Sequence, residues 1–243
     1  MNNSHAYEMA KLCFDSYLTQ YKFGKKYSDG NFRFHSSKSG TQLFTVWDDE
    51  NLWFVFRGTE ITDWNDIKAD LKMRRVHVGG SIEGAESTCH RGFKDALEDV
   101  WGKLISDYMA TADGRQITFT GHSLGGALAT LACSRLGDET ANLVTFGSPR
   151  VFNAAGANVF NYRFKNVWRY RNNNDLICRS PTKWLGYHHV GKMMYFDCAG
   201  ELTENPGLWF RLREYITGVW LDKTDMLKDH FMKNYVNLTR NQL

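Results

Sequence analysis

A chain of 243 residues, 42% hydrophobic and 14% aromatic, has enough apolar surface to fold as one large α/β domain spanning 1–243. Its formal net charge of +3 is too small at this size to argue for nucleic acid or an anionic membrane. Five cysteines (Cys13, Cys89, Cys133, Cys178 and Cys198) lack CxxC spacing, which argues for reduced thiols and against a disulfide framework or a zinc site.

The chain opens on Met1-Asn2-Asn3-Ser4-His5, without a basic region followed by an apolar stretch, and no apolar run approaches about 18 residues. The expectation is a soluble, cytoplasmic protein. Tyr7, Ala10, Phe14, Tyr17, Leu18 and Tyr21 predict an opening helix with one apolar face. Gln42 to Trp47 and Leu52 to Arg57 read as strands turned by Asp48-Asp49-Glu50-Asn51. Phe93 through Tyr108 follow helical spacing until Asp113-Gly114 ends the element. A short strand at Gln116–Thr120 then runs into Gly121-His122-Ser123-Leu124-Gly125, with a helix behind it through Leu136.

Strands follow at Asn142 to Phe146, Val167 to Arg171 and Val190 to Phe196. Leu208, Leu212, Tyr215, Ile216 and Val219 predict a helix, read as a core element in preference to a wall of an acyl pocket. Phe231, Tyr235 and Leu238 predict a last one. Strands alternating with helices imply a central, mostly parallel mixed sheet flanked by helices.

Gly-x-Ser-x-Gly between strand and helix holds a serine on a strained turn with its hydroxyl above the sheet. A serine hydroxyl is a weak nucleophile at neutral pH and needs a histidine base oriented by a carboxylate, in the chain order Ser, Asp or Glu, His. Asp175 lies in a polar loop just past a predicted strand; Asp197 is its rival, and Glu201 and Glu204 are weaker ones. His230 competes as base with His188 and His189, which precede a strand and would sit at its opposite end. His122 adjoins the serine, but neighbouring side chains on a tight turn diverge, so it reads as packing. The oxyanion needs aligned donors, assigned to the backbone N–H of Leu124 and to Thr59 in the loop Phe56-Arg57-Gly58-Thr59.

With these residues in view the chain resembles the class 3 lipases. The blocks carrying the likeness, in order, are Phe56–Thr59, His90-Arg91-Gly92-Phe93, Thr120–Gly126, Thr145-Phe146-Gly147-Ser148-Pro149-Arg150, Arg171–Asp175, Tyr187-His188-His189-Val190-Gly191 and Asp229-His230. The resemblance implies an α/β-hydrolase fold, with Ser123 as nucleophile, Asp175 as orienter, His230 as base, and Thr59 and Leu124 as oxyanion donors. It also implies a lid helix at about 60–71, where Ile61, Trp64 and Ile67 recur near helical spacing. The expected reaction is hydrolysis of lipid carboxylic esters through an acyl-enzyme, with no metal or organic cofactor. The expected partners are a lipid or other ester substrate and transient contact with a lipid–water interface. The alternatives are a phospholipase A1, with Arg74 or Arg75 near a phosphodiester, a general carboxylesterase, or a lipid-binding module without activity.

Overall fold

A computed structural model describes residues 2–27, 31–59, 74–78, 86–221 and 227–243. Helix α1 (Asn3–Asp15) starts where the Asn2 side chain accepts the His5 N–H, satisfying one of the donors a helix start leaves open. Helix α2 (Gln20–Lys26) restarts the chain after a turn, so the predicted opening helix is two elements. Its apolar face also differs from the expected one. Ala6, Met9, Ala10 and Cys13 are buried, while Phe14 is 42% and Tyr21 78% exposed. The turn resets the helical phase, so one stripe cannot run across both pieces.

Strands β1 (Phe32–Ser36), β2 (Gln42–Trp47) and β3 (Asn51–Phe56) form an antiparallel meander. Two short strands, β4 (Arg75–His77) and β5 (Thr88–His90), lead into the long helix α3 (Arg91–Thr111). Next come β6 (Gln116–His122), helix α4 (Leu124–Leu136), ended by Gly137 in the left-handed region, and β7 (Asn142–Phe146). Strand β8 (Phe152–Asn153) precedes α5 (Ala154–Arg163), which the Asn153 side chain caps through the Gly156 N–H. Strands β9 (Val167–Asn172), β10 (Tyr187–His188), β11 (Lys192–Phe196) and β12 (Leu202–Glu204) complete the sheets, and α6 (Leu208–Trp220) and α7 (Met232–Arg240) the helices.

The main sheet runs β1-β2-β3-β6-β7-β9-β11-β12, parallel from β3 to β11 and antiparallel at both edges. It is the mixed, mostly parallel sheet expected, and a second small sheet orders β10-β8-β5-β4. Alternating side chains feed two cores. Phe54, Phe56 and Phe119 pack with Leu97, Leu104 and Leu128 from α3 and α4. Phe44, Val55, Phe146 and Tyr170 pack with Met9, Cys13 and Tyr235 from α1 and α7. Both faces being covered explains why the central strands read as nearly continuous apolar runs.

Helix α6 departs from its expected place in the core. Within it only Glu214 and Gly218 are buried, and its large apolar residues face solvent. Its polar side, with Arg211 against the Met193 sulfur and Glu214 against Cys198, is the side turned to the sheet.

Candidate active site

The parallel strands β6, β7 and β9 all end on the same edge of the sheet, where open α/β sheets present their ligand sites. At the end of β6, Ser123 has φ +57° and ψ −128°, a region that costs a non-glycine residue about 1–3 kcal/mol. Its N–H donates to the Phe146 carbonyl at 3.0 Å, tying the bend to β7. The turn is possible because backbones touch. A Cβ on Gly125 would stand 2.1 Å from the Phe56 carbonyl oxygen, and one on Gly121 would stand 2.3 Å from the Gly125 carbonyl.

His230 and Asp175 meet in the buried interior of this edge. Asp175 Oδ2 accepts from His230 Nδ1–H at 2.8 Å and from the Tyr235 hydroxyl at 2.6 Å, while Oδ1 accepts the Ile177 N–H at 2.9 Å. Burial alone would raise the Asp175 carboxyl, but the His230 imidazole and the Tyr235 hydroxyl outweigh it and hold the group below the ordinary range. The carboxylate is therefore charged at neutral pH and fixes the proton of His230 on Nδ1. Nε2, buried and without a hydrogen-bond partner among the described residues, is left as the basic nitrogen.

The loop carrying Asp175 is stitched to the turn carrying His230. Asn172 Nδ2–H donates to the Asp229 carbonyl, the Asn174 N–H donates to the Asp229 carboxylate, and the Tyr235 oxygen accepts the Asn172 N–H. Gly147, at φ +59°, runs beneath the pair, and a Cβ there would fall 2.8 Å from the His230 ring and 2.9 Å from Asp175 Oδ2. Tyr235 and Gly147 carry no local sign of this duty. Tyr235 reads as one more apolar position of the last helix, and only its phenolic oxygen distinguishes it from Phe.

His122 does more than pack. Its Nε2–H donates to the His230 carbonyl at 2.7 Å, which requires Nδ1 to accept, here from the Tyr17 hydroxyl at 2.8 Å. Its ring stacks on that of His230 with centroids 4.5 Å apart. Burial, with the neighbouring His230 ring adding to it, pushes the imidazole down to about 3, so it stays neutral. His122 thus positions the backbone and the ring of His230.

On the other side of Ser123, the loop 57–59 leaves β3, and a Cβ on Gly58 would lie 3.1 Å from that of Ser123. Thr59 is exposed at the end of this loop. Leu124 opens α4, where backbone N–H groups have no intrahelical acceptor. Thr59 and Leu124 border a cavity of about 750 Å³ that also takes in Arg57, Asp95, Asp99 and Leu128. The lid expectation at Ile61, Trp64 and Ile67 lies outside the described residues.

The rivals sit elsewhere. Asp197 closes the β11–β12 turn by accepting the N–H groups of Ala199 and Glu201. His188 belongs to β10 in the small sheet, and His189 Nε2–H donates to the Cys178 carbonyl. Glu204 ends β12, and Glu201 precedes it. Arg75 lies on β4 over the Tyr187 ring.

The family model for Lipase (class 3) matches residues 53–184, a span that holds the elbow and Asp175. The chain belongs to the class 3 lipase family. A lipase of Rhizomucor miehei is 30% identical over 155 residues, covering 59% of this chain and 41% of that protein. Secreted mono- and diacylglycerol lipase 1 of Fusarium solani is 33% identical over 113 residues, covering 44% of the chain and 34% of the relative. The chain thus spans well under half the length of these two curated relatives. Among solved structures, a deletion mutant of the Rhizomucor miehei lipase propeptide complex superposes with a TM-score of 0.76 at 22% identity, covering 98% of this chain and 80% of that one. The fold is therefore that of the fungal lipases.

These relatives also correct the cytoplasmic expectation, because those of Fusarium solani, Penicillium cyclopium and Malassezia restricta are secreted lipases by name. Free cysteines proved a poor guide to compartment. Cys13, Cys89, Cys133 and Cys178 are buried, and desolvation raises their thiols, to about 12 for Cys13 and Cys178, so they resist oxidation by inaccessibility.

Proposed function

We propose that residues 1–243 form one hydrolase domain that cleaves lipid carboxylic esters through an acyl-enzyme, with mono- and diacylglycerols, the substrates in the relatives' names, as the first to test. The observation that carries this reading is the buried Asp175–His230 hydrogen bond, whose imidazole stacks on His122, the residue preceding a serine held at positive φ. His230 Nε2 takes the Ser123 proton as Oγ attacks the carbonyl carbon, and the oxyanion is held by the Leu124 N–H and by the N–H and hydroxyl of Thr59. The imidazolium, stabilised by Asp175, then protonates the departing alcohol. Water, deprotonated by the same nitrogen, attacks the acyl-enzyme and releases the acid with Ser123 restored.

The test is a panel of glyceride, phospholipid and short-chain nitrophenyl esters, run with Ser123→Ala as control and a fluorophosphonate label. Hydrolysis of at least one lipid ester, falling by about 10⁴-fold or more in the variant, is expected, together with one adduct on Ser123. An unlabelled native protein would point instead to a lipid-binding module.

A further inference from the structure

Helix α6 is folded inside out. At 3.6 residues per turn, Leu208, Trp209, Leu212, Ile216, Val219 and Trp220 fall within one arc of about 120°, and all are exposed, Trp209 to 81% and Trp220 to 88%. The opposite side, toward the protein, holds Arg211, Glu214, Tyr215 and Gly218. Residues that bracket the base, Leu227 and Phe231, are exposed and apolar as well. An apolar stripe this continuous marks a surface that something covers.

The side of α6 that meets the protein borders a concentration of positive charge. Burial, with neighbouring guanidinium groups that include Arg171 adding to it, disfavours the charged state of Arg150, Arg169, Arg179 and Arg211, so the five lie close together. None of the five has an ion-pair partner among the described residues. Arg179 stands over the Tyr215 ring of α6 at 6.0 Å, Arg171 over the Tyr195 ring at 5.9 Å, and Arg211 points its Nη1 at the Met193 sulfur. Arg169 is 8% exposed, and its Nε has no hydrogen-bond partner among the described residues. Five guanidinium groups that outnumber the Glu214 carboxylate beside them, within a Debye length of an apolar, tryptophan-bearing helix, attract one kind of surface: acyl chains topped by anionic headgroups. The net charge of +3 hides this, because acidic residues elsewhere balance the cluster.

We propose that α6 is a docking helix for an anionic lipid surface, its apolar arc entering the acyl boundary while the arginine cluster draws in the headgroups. The choice of a lipid surface rests on the lipid-ester reading above. Trp and Leu on one face, with cations at the flank, are the composition of helices that lie in the plane of a membrane surface. Such a helix would hold the protein at the interface whatever residues 60–71 do.

The test is flotation of the full chain, carrying Ser123→Ala to prevent hydrolysis, with vesicles of phosphatidylcholine alone or mixed with phosphatidylglycerol. Binding to the mixed vesicles, weakened by salt, is expected, and adding Trp209→Ser with Trp220→Ser should lower partitioning by more than about tenfold. With Ser123 intact, the same tryptophan pair should slow hydrolysis of a vesicle-borne ester while leaving a soluble nitrophenyl ester and the melting curve unchanged. Equal flotation with and without the tryptophans would overturn the proposal. So would equal binding to neutral vesicles, or a dimer in sedimentation that the tryptophan pair dissolves. Vesicle binding without hydrolysis of any ester sinks the enzymatic reading and leaves the docking surface standing. Hydrolysis with unaltered binding in the variant does the reverse.

Discussion

Helices α4 and α6 are both 13 residues long and both mostly apolar, yet α4 is enclosed and α6 is bare. In α4 every residue from Gly125 to Ser134 is buried, and Gly125 and Gly126 meet the backbone of β3 and β6. A helix apolar all round has no side to give to water, so it goes inside. In α6 the charges Arg211 and Glu214 share one side, and that side was spent on the protein. The contrast shows that periodicity identifies a stripe without saying what will cover it. Small residues on α4 admit neighbouring backbones; large ones on α6 face a side that no described residue covers.

The largest test of this contrast is Gly125→Val. Its Cβ would enter the Phe56 carbonyl, a backbone atom in the centre of the sheet that cannot move aside. The expected outcome is loss of more than about 4 kcal/mol in urea unfolding, or no soluble protein. A variant that melted with the native chain would show that α4 does not need its close approach to β3.

A smaller but broader effect follows from acid. His122, at the entry to α4, is neutral in the fold down to about 3, whereas a free imidazole takes its proton near 6.5. Between those values the unfolded chain binds more protons, so stability must fall as pH drops through this window, by up to about 1.4 kcal/mol per pH unit for this group. His189 is held well below its ordinary value by burial and by Arg169, and works in the same direction. Asp175, held low instead, contributes stability above its unfolded pKa that is lost only at the acid end. Urea midpoints at pH 7 and pH 4 should therefore differ for the native chain and differ less for His122→Gln. Equal differences in the two proteins would mean that His122 is hydrated, and the end of α4 open.

Legibility followed the same division between local pattern and what covers it. Strand β7 has the predicted bounds because a buried parallel strand is an apolar run with clear ends. The elbow was readable because its glycines are required at fixed offsets from Ser123. Choosing Asp175 over Asp197 by spacing alone was not possible, since both follow strands, and family resemblance made the choice. The hydrogen bond joining Asp175 to His230 spans 55 residues of chain, and that from Tyr235 to Asp175 spans 60, distances at which no periodicity reports. Helix α5 went unpredicted because its ten residues, rich in Ala and Asn, hold no apolar stripe, and a cap at Asn153 starts it instead. Strands β1, β4, β8 and β12 border the sheets or last two or three residues, too little to establish alternation.

The smallest effect is the most discriminating. Ile216 is 57% exposed on α6 and Leu128 is 1% exposed on α4, so a serine at each removes comparable apolar surface from opposite environments. Transfer free energy counts toward folding only for surface that leaves water as the chain folds. Leu128→Ser loses that term, leaves a cavity in the core, and buries a hydroxyl, for an expected cost of about 3–5 kcal/mol. Ile216→Ser gives up the smaller part of it, and Ile and Ser have similar helix propensity, so its unfolding free energy should match the native value within about 1 kcal/mol. A loss of about 2 kcal/mol or more at Ile216 would mean that the chain covers this face itself in solution, and that no lipid surface is needed to account for it.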